Sequence, residues 1–184
     1  MKKFITFLTI SRIVLAPLIF ILIVSFKSYG LALLLFLASS VTDYLDGYFA
    51  RKFNVTSILG EILDPISDKI TIIFVLLALI IELNSVFIAF ISAVMISRDI
   101  WVNGMRELNA RLSHSDRTKV TFMAKIKTAI QMSTVSLYLF ALLINNAFLL
   151  FISNFLLFVA LIVSLVTGLQ YTVNSLELNG KEET

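Results

Sequence analysis

Residues 147–173, AFLLFISNFLLFVALIVSLVTGLQYTV, contain no Lys, Arg, Asp or Glu. A hydrocarbon core of about 30 Å needs about 20 predominantly apolar residues in a helix, so this stretch alone is long enough to cross a bilayer. Working outward, five more runs of comparable length occur at 7–26, 29–51, 60–81, 86–106 and 122–144. Each is expected to be helical, because lipid offers no partners to free backbone N–H and C=O groups. The expected fold is an all-α membrane protein with six transmembrane helices, residues 1–184 forming one membrane domain. Composition agrees: 59% of the 184 residues are hydrophobic and the mean hydropathy is +0.96, against about 45–50% apolar in soluble chains.

The polar breaks orient the spans. Lys27-Ser28, residues 82–85 and Asn145-Asn146 read as tight hairpin turns, while 52–59 and 109–121 are longer and polar. An even number of crossings puts both termini and both longer breaks on one side. Of 15 Lys and Arg, all but Lys27 lie in or near those elements. The positive-inside rule makes that side the cytoplasm. The apolar run behind Lys2 and Lys3 continues to Val24, too long for the core of a cleaved signal, and reads as a retained first span. There is no Cys, which excludes disulfides and Cys-ligated metals. No basic soluble face exists to bind nucleic acid.

Charge inside a span costs at least about 2.5 kcal/mol at mid-helix and marks function by default. The second run ends with Asp43, Asp46 and Arg51; the third begins with Glu61, Asp64, Asp68 and Lys69. Positions three or four apart share a helix face. Asp43 therefore joins Asp46, and Asp64 joins Asp68, on two helices that a short loop makes antiparallel neighbours. Asp43 lies about 12 Å from the Arg51 end of its helix, within the inner leaflet. Four such carboxylates repel unless cations neutralise them. Oxygen-only ligation suits two hard divalent ions, Mg²⁺ or Mn²⁺. The competing arrangement is a solvated helix-end cluster paired with Arg51, Lys52 and Lys69. Gly47, Ala50 and Gly60 allow close approach of a ligand to the backbone, or equally of one helix to another.

As one string, Asp43-Tyr-Leu-Asp46-Gly47-Tyr-Phe-Ala50-Arg51, eight residues, then Gly60-Glu-Ile-Leu-Asp64-Pro-Ile-Ser-Asp68 resembles the signature of the CDP-alcohol phosphotransferases, D-x-x-D-G-x-x-A-R-x8-G-x-x-x-D-x-x-x-D. The resemblance implies a six-helix, homodimeric membrane enzyme with a two-metal site open to the cytoplasm. It implies that Asp43, Asp46, Asp64 and Asp68 hold the metals and that Asp68 is also the general base. Gly47, Ala50, Arg51 and Gly60 would bind the CDP moiety. Arg98-Asp99, the string Gly104-Met-Arg106-Glu107-Leu108 and the string Lys125-Ile-Lys127-Thr128-Ala-Ile-Gln131-Met132 resemble the bacterial phosphatidylglycerophosphate synthase branch. That branch implies CDP-diacylglycerol and glycerol 3-phosphate as substrates and the bacterial inner membrane as location. Thr6-x-x-Thr9-x-x-Arg12 is similar to the branch's N-x-x-T-x-x-R, with Thr6 where Asn is usual; Thr9 and Arg12 are candidate substrate contacts.

Arg98, Arg106, Lys125 and Lys127 are the candidate clamp for an anionic acceptor, Arg being suited to phosphate by its planar fork. Anchoring to anionic lipid heads is the other use for such cations. Within the same chemistry the acceptor could instead be an inositol phosphate or phosphatidylglycerol. A cation transporter would also use intramembrane carboxylates, but the broken helices and repeated halves of such proteins are not evident.

Overall fold

The computed structural model describes the backbone of residues 2–52, 58–111 and 122–179, and the side chains of 10–42, 66–109 and 126–175. Among these residues there are six α-helices: α1 Lys2–Val24, α2 Tyr29–Lys52, α3 Ile58–Leu83, α4 Val86–Arg111, α5 Phe122–Leu143 and α6 Ala147–Asn179. Each falls on one expected span. Stretches of α4 (Val86–Asn109), α5 (Ile126–Leu143) and α6 (Ala147–Ser175) are long and apolar enough to cross a membrane. The described parts of α1 and α2 contribute the shorter apolar stretches Ile10–Val24 and Tyr29–Thr42. The solvent preference of the side chains is inverted, as in a multi-pass membrane protein. Ser39, Ser67, Ser92, Thr134, Ser153 and Ser164 are buried, while Phe148, Phe151, Phe155 and Phe158 of α6 face outward. Small polar residues between helices and large apolar ones toward lipid are what a bilayer selects.

The hairpin turns follow from local chemistry. Lys27, Asn84 and Asn145 each take a left-handed backbone, with φ of 52°, 43° and 51°, the conformation that ends a helix and that Asn tolerates better than most residues. At Asn145 the capping is complete. Its N–H donates to Leu142 O and that of Asn146 to Ala141 O, closing α5. Asn146 Oδ1 then accepts from Leu149 N at 3.1 Å, opening α6 as an N-cap. One residue pair thus stops one helix and starts the next.

The chain divides into two compact units: Met1–Val86 with Val135–Phe151, and Phe87–Thr134 with Ile152–Thr184. In the first, α1 lies against α2 and α3. Its core holds Ala16, Ile19, Ile23, Phe36, Leu76 and Leu79, with Phe20 edge-on to Phe74 at 6.1 Å between ring centroids. In the second, α4 and α6 are joined by side-chain hydrogen bonds in which residue numbers rise together: Arg98 to Thr167, Arg106 to Tyr171, and Ser175 to Asn109. The two helices therefore run parallel there.

Glu82 closes the end of α3 onto the α1–α2 turn. It accepts hydrogen bonds from Lys27 Nζ and from Tyr29 Oη, the latter at 2.6 Å. Burial pushes the Glu82 carboxyl up, but the hydrogen bonds from Lys27 and Tyr29 and the Lys27 charge more than reverse this, leaving it below its ordinary 4.5. A depressed folded value means that the contact stabilises above pH 4.5 and is lost as pH falls through the folded value. Glu82→Gln should cost about 0.2–1 kcal/mol at pH 7, read as a lower thermal midpoint in detergent. That gap should close on acidification below pH 4.5; a gap unchanged down to pH 3 would contradict the assignment.

Candidate active site

In the first unit, the helical backbone carries every specified residue of the carboxylate signature. Asp43, Asp46, Gly47, Ala50 and Arg51 lie on the last turns of α2, and Gly60, Glu61, Asp64 and Asp68 on the first turns of α3. Of these, Asp68 alone has a described side chain. The side chains of Asp43, Asp46, Asp64, Gly47, Ala50, Arg51 and Gly60 lie outside the described residues, as do those of Thr9 on α1 and Lys125 on α5.

Asp68 is met by Arg12. Arg12 Nη1 donates to Asp68 Oδ1 at 3.0 Å, with side-chain exposures of 1% and 30%. A guanidinium this deeply buried needs an anionic partner, since leaving one ion of a buried pair uncompensated costs several kcal/mol. The pair links α1 to α3 beside the signature. Arg12, a candidate substrate contact by its place in the sequence, thus meets the carboxylate expected to act as base. Among the described residues no group of three His, Cys, Asp or Glu side chains is assembled.

In the second unit, Arg98 and Asp99 of α4, Lys127 of α5, and Thr167 and Tyr171 of α6 build a polar cluster. Arg98 Nη1 donates to Asp99 Oδ1 at 2.8 Å and Nη2 to Thr167 Oγ1 at 2.7 Å. Its stem lies flat on α6 at Gly168, where an added Cβ would stand 2.7 Å from Nε. Lys127, 7% exposed, also donates to Asp99 Oδ1. About two turns further along α4, Arg106 Nη2 donates to Tyr171 Oη at 3.0 Å, and its Cζ lies 4.8 Å from the centroid of that ring. Arg106 Nε is buried without a hydrogen-bond partner among the described residues.

Three of the four expected acceptor cations are thus described, all in one unit. The like charges of Arg98 and Arg106 both act on Lys127. In the sequence Asp99 stands in the resemblance without an assigned role, and Thr167 and Tyr171 are not singled out. Asp99 could have been found, because an intramembrane acid is suspect by default; Thr167 and Tyr171 carry no such signal. Trp101 is exposed and donates to Thr172 Oγ1 at 3.0 Å, consistent with an interfacial aromatic.

Residues 5–169 match the family model described as CDP-alcohol phosphatidyltransferase. A protein of Wigglesworthia glossinidia brevipalpis named CDP-diacylglycerol–glycerol-3-phosphate 3-phosphatidyltransferase is 34% identical over 171 residues, covering 90% of this chain and 91% of that one. Proteins of the same name from Shigella flexneri serotype 5b and Escherichia coli K12 are each 31% identical over 169 residues, with the same coverage.

The Arg12–Asp68 contact predicts a coupled pair. Arg12→Met and Asp68→Asn should each lower unfolding free energy in detergent by about 1–3 kcal/mol. The double variant should lose clearly less than the sum. Additive losses would show that the two side chains do not interact.

Proposed function

The chain belongs to the CDP-alcohol phosphatidyltransferase family, and from that membership we propose that it moves the phosphatidyl group of CDP-diacylglycerol onto glycerol 3-phosphate, giving phosphatidylglycerophosphate and CMP. The observation that carries the acceptor assignment is the cluster in the second unit. It holds Arg98, Arg106 and Lys127 against one carboxylate, Asp99, and so has charge to spare for a phosphate. The names of the relatives support the same acceptor.

In the proposed reaction, the acceptor hydroxyl oxygen bonds to the lipid-side phosphorus. The pyrophosphate P–O bond to CMP breaks, and the hydroxyl proton passes to a carboxylate oxygen of Asp68. Arg12 donates to Asp68 Oδ1 and would fix the plane of that carboxylate for proton transfer. Arg98, Arg106 and Lys127 would grip the acceptor phosphate and hold its hydroxyl for in-line attack. Gly47, Ala50, Arg51 and Gly60 would receive the CDP portion.

Asp43, Asp46, Asp64 and Asp68 would hold two divalent ions, Mg²⁺ or Mn²⁺. The donor set fits such ions: it is all carboxylate, in a chain with no Cys and one His, and Asp68 is 30% exposed and so reachable. Bound there, the ions would neutralise charge on the pyrophosphate and on the attacking and leaving oxygens. The active site would face the cytoplasm of a bacterial inner membrane, with both termini on that side. The distribution of Lys and Arg supports this orientation. The enzyme would act as a homodimer.

The test is purified protein with CDP-diacylglycerol and a panel of acceptors, following CMP by mass spectrometry. Glycerol 3-phosphate should release CMP, EDTA should abolish release, and Mg²⁺ or Mn²⁺ should restore it. Equal turnover with an acceptor lacking phosphate would overturn the assignment. Asp68→Asn should lower kcat by about 10² or more. Arg106→Ala should chiefly raise the acceptor KM; an effect confined to CDP-diacylglycerol would refute this division of the site.

A further inference from the structure

The acceptor cluster contains one anion whose role the reaction does not define. Asp99 sits on α4 beside Arg98, and its Oδ1 accepts from two cations, Arg98 Nη1 at 2.8 Å and Lys127 Nζ. These come from α4 and α5, and Arg98 is tied in addition to Thr167 of α6. Asp99 is therefore the hub through which three helices of the second unit fix two of the cations. Glu107, the other described acid on this part of α4, is exposed.

We propose that Asp99 is the positioning and charge-setting residue of the acceptor site, making it selective for a phosphate monoester dianion. The proposal rests on the phosphate-acceptor reading above and deepens it. Among the described side chains of this cluster, Arg98, Arg106 and Lys127 carry three positive charges and Asp99 removes one, leaving two. A phosphate monoester carries about −1.5 to −2 at pH 7, so charge is balanced when it binds. A phosphodiester, with one negative charge, would leave a buried positive charge uncompensated, which is costly where water is excluded. An uncharged alcohol would leave two. Without Asp99, three like charges would face one another, and Lys127 and Arg98 would lose the oxygen that sets their spacing. Asp99 need not touch the substrate to do this. It acts through the two side chains it holds.

The experiment compares steady-state constants for the wild type, Asp99→Asn, Asp99→Glu, Lys127→Gln and the double variant Asp99→Asn/Lys127→Gln. Substrates are CDP-diacylglycerol with glycerol 3-phosphate or its phosphate monomethyl ester, a phosphodiester. Asp99→Asn should raise the glycerol 3-phosphate KM about tenfold, as expected from about 1.4 kcal/mol of lost binding, with the KM for CDP-diacylglycerol unchanged. Asp99→Glu, which keeps the charge, should recover most of the loss. The double variant restores the balance of two, so its acceptor KM should lie below that of Lys127→Gln alone, a comparison available even if Asp99→Asn fails to fold. The wild type should prefer the monoester over the diester.

Additive KM effects in the double variant, or Asp99→Asn losses confined to kcat or yield, would overturn the proposal. So would no preference between monoester and diester in a wild type that uses glycerol 3-phosphate. If Arg106→Ala leaves the acceptor KM unchanged, the acceptor reading itself fails, an outcome separable from failure of the Asp99 role.

Discussion

Ionic groups among apolar helices must be compensated, because the low dielectric that strengthens a pair also makes a lone charge expensive. This constraint organises the molecule. Arg12, 1% exposed, lies against Asp68 across α1 and α3. Asp99 is shared by Arg98 and Lys127, and Arg106 is held by the hydroxyl and ring of Tyr171. Outside the signature region, Glu82 takes up Lys27, the one cation that the sequence placed on the far side. Where compensation within the chain falls short, a bound ion or substrate has to complete it. In the proposed reading, divalent cations complete it at the aspartates of the signature and phosphate completes it at the cations of the second unit.

The elements were legible because membrane helices leave a coarse, local signal. Six long, mostly apolar runs are six helices, and the breaks at Lys27, Asn84 and Asn145 hold the left-handed residues that follow α1, α3 and α5. The capping by Asn145 and Asn146 uses neighbours in sequence. The residues of the carboxylate signature fall on α2 and α3 as their spacing implies, and of its aspartates only Asp68 has a described side chain.

Side-chain pairing was not legible, for a physical reason. Arg12 and Asp68 are 56 positions apart, and Arg106 and Tyr171 are 65 apart; which cation meets which acceptor depends on helix packing, not on local pattern. Arg12 was recognised as a candidate but not as the neighbour of Asp68. Gly168 shows the limit most clearly. Its lack of a side chain matters only because Arg98, from another helix, lies across it. Nothing around residue 168 in the sequence announces that.

The central claim is that the aspartates at 43, 46, 64 and 68 carry an excess of negative charge that a pair of divalent ions balances. Titration of the purified protein with Mn²⁺, followed by electron paramagnetic resonance, tests it most directly. The account predicts two ions bound per chain, with the broadening expected of two closely spaced spins, and loss of that signal in Asp64→Asn. Binding of a single isolated ion, or of two ions unaffected by that substitution, would contradict it.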